Sequence, residues 1–211
     1  MLLTGQAPCI VISVNSTPDD IRRLGELDRF FSQLDLPHDI IDVVSALNPG
    51  GDNPYHGTQH LFTVAIRCAE AGNLYDLTQR ERRELVLAGL FHDYGHPLYA
   101  DDRANIEVAV KGWNRIGVPY STDVDNTEVE RLIRASVFPH SEPKDIREAI
   151  IQDADLMQSL EPDRERFYEG LSAESGRETD DATTSDFLSS QEIHTEWAKE
   201  LLAIRVANEG R

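Results

Sequence analysis

The stretch Leu85-Val86-Leu87-Ala88-Gly89-Leu90-Phe91-His92-Asp93-Tyr94-Gly95-His96-Pro97 joins an apolar run to a group of ionisable side chains. The run predicts a helix over roughly 78–92 whose end is buried. Within a helix, adjacent residues do not share one face. At a helix end followed by Gly95, the backbone can turn so that His92 and Asp93 converge. A buried carboxylate is unfavourable unless it is paired, so the sequence predicts a metal beside Asp93.

Two other polar groups complement this pair. Tyr55-His56-Gly57-Thr58-Gln59-His60 precedes it by about thirty residues. The four-residue spacing of His56 and His60 places both on one helix face. Asp153 and Asp155 follow an apolar pair in a later helix, and because they lie two residues apart they point in different directions, so only one of them should face a shared site. Imidazole and carboxylate ligands suit divalent metals, and a shell that water must complete is typical of a catalytic site.

Helical periodicity dominates the rest of the chain and predicts an all-α fold, with one domain over residues 1–211. Thr17 is expected to cap the first helix, with Pro18 in its first turn. Residues 172–186 are rich in Ser, Thr, Gly, Asp and Glu and predict a surface loop. Only Cys9–Val14 has the character of a strand. The predicted helices cover about 17–34, 38–47, 55–71, 78–92, 103–116, 126–137, 143–160 and 187–207.

Composition limits the classes of function. The 211 residues carry a formal net charge of −18, which repels phosphate backbones and argues against nucleic acid polymers as partners. The longest apolar runs are far shorter than the ~20 residues needed to span a bilayer, so no membrane partner is expected. No basic residue precedes Cys9–Val14, so a secretory signal is not predicted and a cytoplasmic location is. The two cysteines stand far apart, which excludes a zinc ribbon.

The order His…His-Asp…Asp resembles the signature of the HD-domain metal-dependent phosphohydrolases. Residues 55–60 are similar to the Tyr-His-Asn-x-x-His motif of the class I cyclic-nucleotide phosphodiesterases, although Gly57 replaces the asparagine. Residues 91–97 resemble their Phe-His-Asp-x-x-His-Pro motif, and residues 154–156 resemble their Ala-Asp-Leu. The likeness covers about residues 53–160 and implies an HD-domain helical bundle.

The resemblance implies a role for each matching residue. Asp93 would also reach a second metal whose shell is mainly water. Zinc, iron or manganese suits the first, tight site, and magnesium or manganese suits the second. His56 would be the general acid that protonates the leaving 3′ oxygen. His96 would bind the phosphate or steady the metal-bound water. The first metal would be held by His60, His92, Asp93 and Asp155.

Other assignments rest on weaker parallels. Asn105 and Gln191 are expected to bind substrate. Glu128 is the expected carboxylate that orients His56 or a metal-bound water. The other three histidines of the chain are predicted to be structural or solvated; they are His38, His140 and His194.

The resemblance implies that the chain hydrolyses a cyclic nucleotide phosphodiester to a nucleoside monophosphate through a metal-bound hydroxide. The alternative is an HD-type nucleotidase or (d)NTP phosphohydrolase that acts on free nucleotides. His56 discriminates between them, because a phosphodiesterase needs an acid beside the leaving alkoxide. A non-catalytic nucleotide or metal sensor would not need His56 and His96 together. The expected partner is a small nucleotide, and the first two helices offer apolar surface for a homodimer.

Overall fold

The computed structural model describes residues 17–99, 101–121 and 123–209, with side chains up to Arg205 in the last helix. Within these ranges the chain is helical and forms no strand, which confirms the all-α prediction. The predicted strand Cys9–Val14 lies outside the described residues. The helices are α1 Pro18–Leu34, α2 Asp39–Leu47, α3 Thr58–Gly72, α4 Gln79–Phe91, α5 Asp102–Gly112, α6 Asn126–Ala135, α7 Ile146–Leu156, α8 Arg164–Ser175, α9 Asp181–Ser190 and α10 Glu196–Glu209.

Side-chain hydrogen bonds cap the first turns of α1 and α4. Thr17 and Asp20 form a reciprocal capping box at the start of α1, as the sequence predicts for Thr17. Thr78 and Glu81 form the same arrangement at the start of α4. These bonds satisfy backbone N–H groups that have no partner within the helix.

The helices α3 and α4 form the centre of the molecule. Helix α3 packs against α1, α4 and α7, and α4 also packs against α6. The predicted apolar run Leu85–Phe91 is entirely buried. Gly89 allows α3 and α4 to approach closely, because a Cβ at this position would lie 3.1 Å from the Ala65 Cα. This close packing brings the histidines of the two helices together.

The C-terminal third differs from the sequence prediction. The loop predicted at 172–186 is confined to residues 176–180, because α8 extends to Ser175 and α9 begins at Asp181. Asp180 caps α9 in a box with Thr183, and Gly176 ends α8 with a φ of 68°. Ser, Thr and Asp favour helix caps as strongly as loops, so composition alone could not distinguish the two.

Several other predicted helix boundaries differ from those in the structure. The helix predicted at 143–160 begins at Ile146, and its last turn, Met157–Leu160, is a 3-10 helix. The helix predicted at 187–207 is divided between α9 and α10. Helix α3 begins at Thr58, so His56 lies in the turn before it. None of the helices in the described ranges combines the length and apolar character that a membrane crossing requires.

Gly112 at the end of α5 allows us to test the packing beside the site. A Cβ at Gly112 would overlap the ring of Tyr94, whose hydroxyl donates to the Leu47 carbonyl over 2.6 Å. We therefore expect Gly112→Ala to lower the free energy of unfolding by about 1–3 kcal/mol in urea denaturation.

The matched control is Gly25→Ala in α1, where an added Cβ meets nothing within 4 Å. Because alanine favours an exposed helix, this change should raise the free energy of unfolding by about 0.5–1 kcal/mol. Equal effects of the two substitutions would contradict the close approach of α5 to Tyr94.

Candidate metal centre

Four side chains that the sequence predicts as metal ligands converge in the structure. His60, His92, Asp93 and Asp155 each offer one ligand atom, and these atoms lie within 4.8 Å of one another. The Nε2 atoms of His60 and His92 are 3.1 Å apart. Both imidazoles are almost fully buried. Two imidazoles and two carboxylates at this spacing fit a divalent metal.

Hydrogen bonds outside the cluster orient both imidazoles. His60 Nδ1 donates to the side-chain oxygen of Gln158 over 2.8 Å, and His92 Nδ1 donates to the Gly89 carbonyl over 2.8 Å. Because both partners are acceptors, each ring keeps its Nδ1 proton and presents Nε2 to the cluster. An outer hydrogen bond of this kind is typical of metal-binding histidines.

The end of α4 brings the adjacent pair His92 and Asp93 to one site. The helix ends at Phe91, and Gly95 adopts a φ of 73° in the following turn. The Asp93 carboxylate lies 3.4 Å from the Nε2 atoms of both His60 and His92. The sequence prediction that a turn would let the pair converge is confirmed.

Asp155 approaches the cluster from the end of α7. Its Oδ1 lies 3.1 Å from His60 Nε2 and 3.4 Å from His92 Nε2. Asp153 points elsewhere, as predicted, and accepts bonds from the backbone N–H groups of His194 and Thr195. Asp153 therefore anchors the start of α10, and Asp155 alone joins the cluster.

A second group of donors shares Asp93 with the first. Ligand atoms of His56, Asp93 and His96 also lie within 4.8 Å of one another. The rings of His56 and His96 stack, with centroids 4.1 Å apart and planes 6° apart. His56 Nε2 is 4.0 Å from the Asp93 carboxylate. The two groups form adjoining sites joined by one carboxylate.

Glu174 is the carboxylate that holds His56. One of its oxygens lies 2.5 Å from His56 Nδ1, and the other accepts the backbone N–H of Tyr55 over 2.6 Å. Gly170, one turn earlier in α8, packs so closely on the Pro54 carbonyl that a Cβ would overlap it. Burial raises the pKa of Glu174, but the hydrogen bond and charge of His56, together with the backbone N–H bonds from Tyr55 and His56, lower it below its usual value.

The assignment of Glu128 to this role is corrected by the structure. Glu128 pairs instead with Arg131 and Arg147, at 3.0 Å and 2.7 Å. Sequence reasoning missed Glu174 because it lies in the segment predicted as a loop. A helical pattern over α8 could have indicated Glu174, but in this polar segment the pattern is too weak to distinguish a helix from a linker.

The two predicted substrate-binding residues do not join the cluster by any described contact. Asn105 is buried and bonds to the backbone of Tyr99 and to Asp102, so it secures the segment after His96. Gln191 ends α9 and bonds to the Phe187 carbonyl and the Ser190 hydroxyl. Both side chains have structural partners, and their predicted contact with substrate stays a prediction.

His140 lies nearer the site than the sequence suggested. Its Nε2 is 3.9 Å from the Asp155 carboxylate and is buried without a hydrogen-bond partner. The ring of Phe138 contacts it edge-on at 5.5 Å. Phe138 in turn lies 5.8 Å from the ring of Phe187. His38, by contrast, is a structural residue that pairs with Asp28 at 2.5 Å.

The buried ionisable side chains of the cluster shift one another's pKa values. Burial lowers the pKa of His60, but hydrogen bonds with Asp155 and Asp93 raise it to about 9. The Asp93 charge likewise holds the pKa of His92 well above its usual range, against the effect of burial. Burial raises the pKa values of both carboxylates, but the two imidazoles hold them well below the usual range. At neutral pH without metal, both imidazoles therefore stay protonated and carry positive charge.

The HD domain family matches residues 57–160 of the chain. This range contains all four residues of the first cluster and supports membership of the HD superfamily. An HD domain implies, in general, a metal-dependent phosphohydrolase that binds divalent metal. No protein of curated function shows detectable sequence similarity to the chain.

Metal binding at His60 and His92 should release protons. Because a metal competes with protons for Nε2, we expect between about one and two protons to leave at pH 7. Apparent zinc affinity should rise with pH until about 9, the pKa of His60. Calorimetric titration in buffers of different ionisation enthalpy measures the proton count, and a heat independent of buffer would contradict the assignment.

The raised pKa of His60 also makes the stability of the metal-free protein depend on pH. The pKa of His60 is raised above its unfolded value, so its contribution is full below about pH 6.5 and is lost as pH rises towards 9. The melting temperature of metal-free protein should fall across this window. His60→Gln should reduce that dependence, and the contribution of His92, whose pKa is also raised, should remain.

Proposed function

We propose, from the HD domain and from the geometry of His56, that the chain hydrolyses a cyclic nucleotide phosphodiester to a nucleoside monophosphate. The observation that carries this proposal is the pair formed by His56 and Glu174 beside the shared carboxylate of Asp93. A phosphodiester needs a proton at its leaving alkoxide, and a histidine held by a carboxylate can deliver one.

The donor set supports two divalent metals. His60, His92, Asp93 and Asp155 would hold the first, and Asp93 would bridge to the second. Two imidazole and two carboxylate ligands suit zinc, iron or manganese at the first site, and magnesium or manganese suits the wetter second site. When bound, such metals supply Lewis-acid stabilisation of phosphoryl charge and lower the pKa of water.

His56 would act on the leaving group. Glu174 accepts at Nδ1, so the transferable proton sits on Nε2, on the side of Asp93. This proton would pass to the leaving 3′ oxygen as the P–O bond breaks, and Glu174 would stabilise the imidazolium before transfer. The stacked His96 limits rotation of the His56 ring and so keeps Nε2 directed to the site.

Two exposed aromatic residues offer a surface for the nucleobase. Phe138 and Phe187 are 38% and 41% exposed, unusual values for phenylalanine, and their rings contact each other. Phe138 also contacts His140, which lies beside Asp155. Bases stack on aromatic side chains with little sequence preference. The pair would therefore hold a base while its phosphate reaches the metal centre.

The second candidate is hydrolysis of free nucleotides, and the adjoining donor group favours it. If His56 binds a metal together with Asp93 and His96, its Nε2 has no proton to donate. A nucleotidase or (d)NTP phosphohydrolase can act without that acid where a bound metal or a water molecule neutralises the charge on the leaving oxygen. The protonation of His56 therefore separates the two functions.

A product assay on metal-replete protein tests the proposal. The substrates are cyclic AMP, cyclic GMP, small cyclic dinucleotides, nucleoside monophosphates and nucleoside triphosphates. We expect turnover of a cyclic substrate that falls about 10²–10⁴-fold in His56→Gln while bound metal is retained. Turnover restricted to free nucleotides, unaffected by His56→Gln, would establish the second candidate instead.

Glu174→Gln should lower turnover of the cyclic substrate with little change in KM or in bound metal. Because the amide no longer stabilises the imidazolium, we expect a loss of about 10–100-fold in kcat. The matched control is Glu128→Gln, which changes the same functional group away from His56. Steady-state kinetics with metal analysis measures both, and equal losses would contradict the role of Glu174.

Phe138→Ala and Phe187→Ala should each raise KM about tenfold or more, since base stacking on one aromatic ring is worth about 1–3 kcal/mol. The value of kcat should change little, because neither ring contacts the metal-binding side chains directly. Leu74→Ala, an exposed apolar residue beyond the far end of α3, is the control. An unchanged KM in both phenylalanine variants would exclude this surface as the base-binding site.

A further inference from the structure

A cavity of about 330 Å³ lies between the 3-10 turn Met157–Leu160 and α10, and none of its described lining residues belongs to the metal cluster. Three arginines contribute to its lining: Arg67, Arg164 and Arg205. The apolar part is formed by Leu160, Leu201 and Ile204, and Ser159 completes it. Its volume suits a small molecule.

Three guanidinium groups line this cavity, and each of them is paired with a carboxylate. Among its described lining residues there is no carboxylate, whereas the whole chain carries a net charge of −18. Carboxylates hold the arginines in place: Arg67 pairs with Glu161 at 2.6 Å and with Glu70 at 2.8 Å, and Arg205 pairs with Asp181 at 3.1 Å. The Arg67 guanidinium is thus fixed at both terminal nitrogens, and its Nε–H has no partner among the described residues.

Two polar atoms of the lining residues have no hydrogen-bond partner. The Ser159 hydroxyl and the Arg67 Nε are buried and unpartnered, and Ser159 is only 4% exposed. Buried polar groups in folded proteins are nearly always hydrogen-bonded, so such atoms point to a missing acceptor. An anion that enters the cavity would supply it.

We propose that this cavity binds a small phosphorylated molecule with an apolar part. The phosphate would lie against Arg67 and Ser159, where planar guanidinium donors suit phosphate oxygens. The apolar part would lie against Leu201 and Ile204. This site is separate from the metal centre, and it does not depend on the reaction proposed there.

The cavity also connects to the metal centre through the turn. Gln158, the residue before Ser159, accepts the hydrogen bond that orients His60. A ligand that contacts Ser159 and Leu160 can therefore bias the position of Gln158. Since linkage is reciprocal, occupation of the cavity and occupation of the metal centre should affect each other.

An NMR titration of the full, zinc-loaded chain with AMP tests the binding. AMP combines a phosphate with a flat aromatic base whose faces can pack on apolar side chains, and inorganic phosphate serves as the anion alone. We expect saturable shifts of the backbone amides of Ser159, Leu160 and Ile204. Their midpoint should be distinct from that of shifts near His60 and His92. Inorganic phosphate should produce the same pattern with weaker affinity.

Ile204→Glu places a negative charge in the cavity at a residue that is 59% exposed, so folding should tolerate it. We expect AMP binding at Ser159 and Leu160 to weaken at least about tenfold, because like charges oppose each other. Ile204→Gln is the matched neutral control and should bind nearly as the unaltered chain does. Shifts confined to the metal centre, or equal affinity in all three proteins, would overturn the proposal.

Zinc affinity measured with and without AMP tests the connection. The effect of AMP on zinc affinity should be the same in the unaltered chain and in Ile204→Gln, and should differ in Ile204→Glu. An identical effect in all three proteins would overturn the linkage through Gln158, whatever the outcome of the binding titration.

Discussion

The charge balance of one buried cluster is the constraint on which the rest of the structure depends. Asp93 and Asp155 carry negative charge beside His60 and His92, which are almost excluded from water. Buried charges of this kind need close partners of opposite sign, either protonated imidazoles or a bound cation. The helices must therefore hold all four groups within a few ångströms. The contact between α3 and α4 at Gly89 achieves this.

Residues distant in sequence then orient the histidines through the same atom. Gln158 bonds to Nδ1 of His60, and Glu174 bonds to Nδ1 of His56. Each contact directs Nε2 towards the shared site, but with a different effect. In the proposed reaction, a neutral amide would leave the first ring able to bind a metal, whereas a carboxylate would orient the second ring as a proton donor. The chemistry of the partner would thus give the two imidazoles different tasks.

The sequence predicted the features that depend on local pattern. The all-α fold, the Thr17 cap and the turn after Phe91 follow from periodicity, capping and the special conformation of glycine. Glu174 and the exposed aromatic pair could not be predicted, because their roles depend on how α8 and α9 pack onto a distant site. Helix α8 is polar enough to resemble a loop. Its contact with the centre rests on the close approach of Gly170 to Pro54, which no local pattern reveals.

The acidity of the protein surface affects the substrate and the product of the proposed reaction differently. A cyclic phosphodiester carries one negative charge, whereas the monophosphate product carries between one and two at neutral pH, because its second pKa is about 6. A net charge of −18 therefore repels the product more strongly than the substrate. Within a Debye length of about 8 Å, bound metal ions would outweigh that field at the metal centre. The surface would then favour release of the product once it leaves the centre, while polymers with many phosphates would be repelled along their whole length.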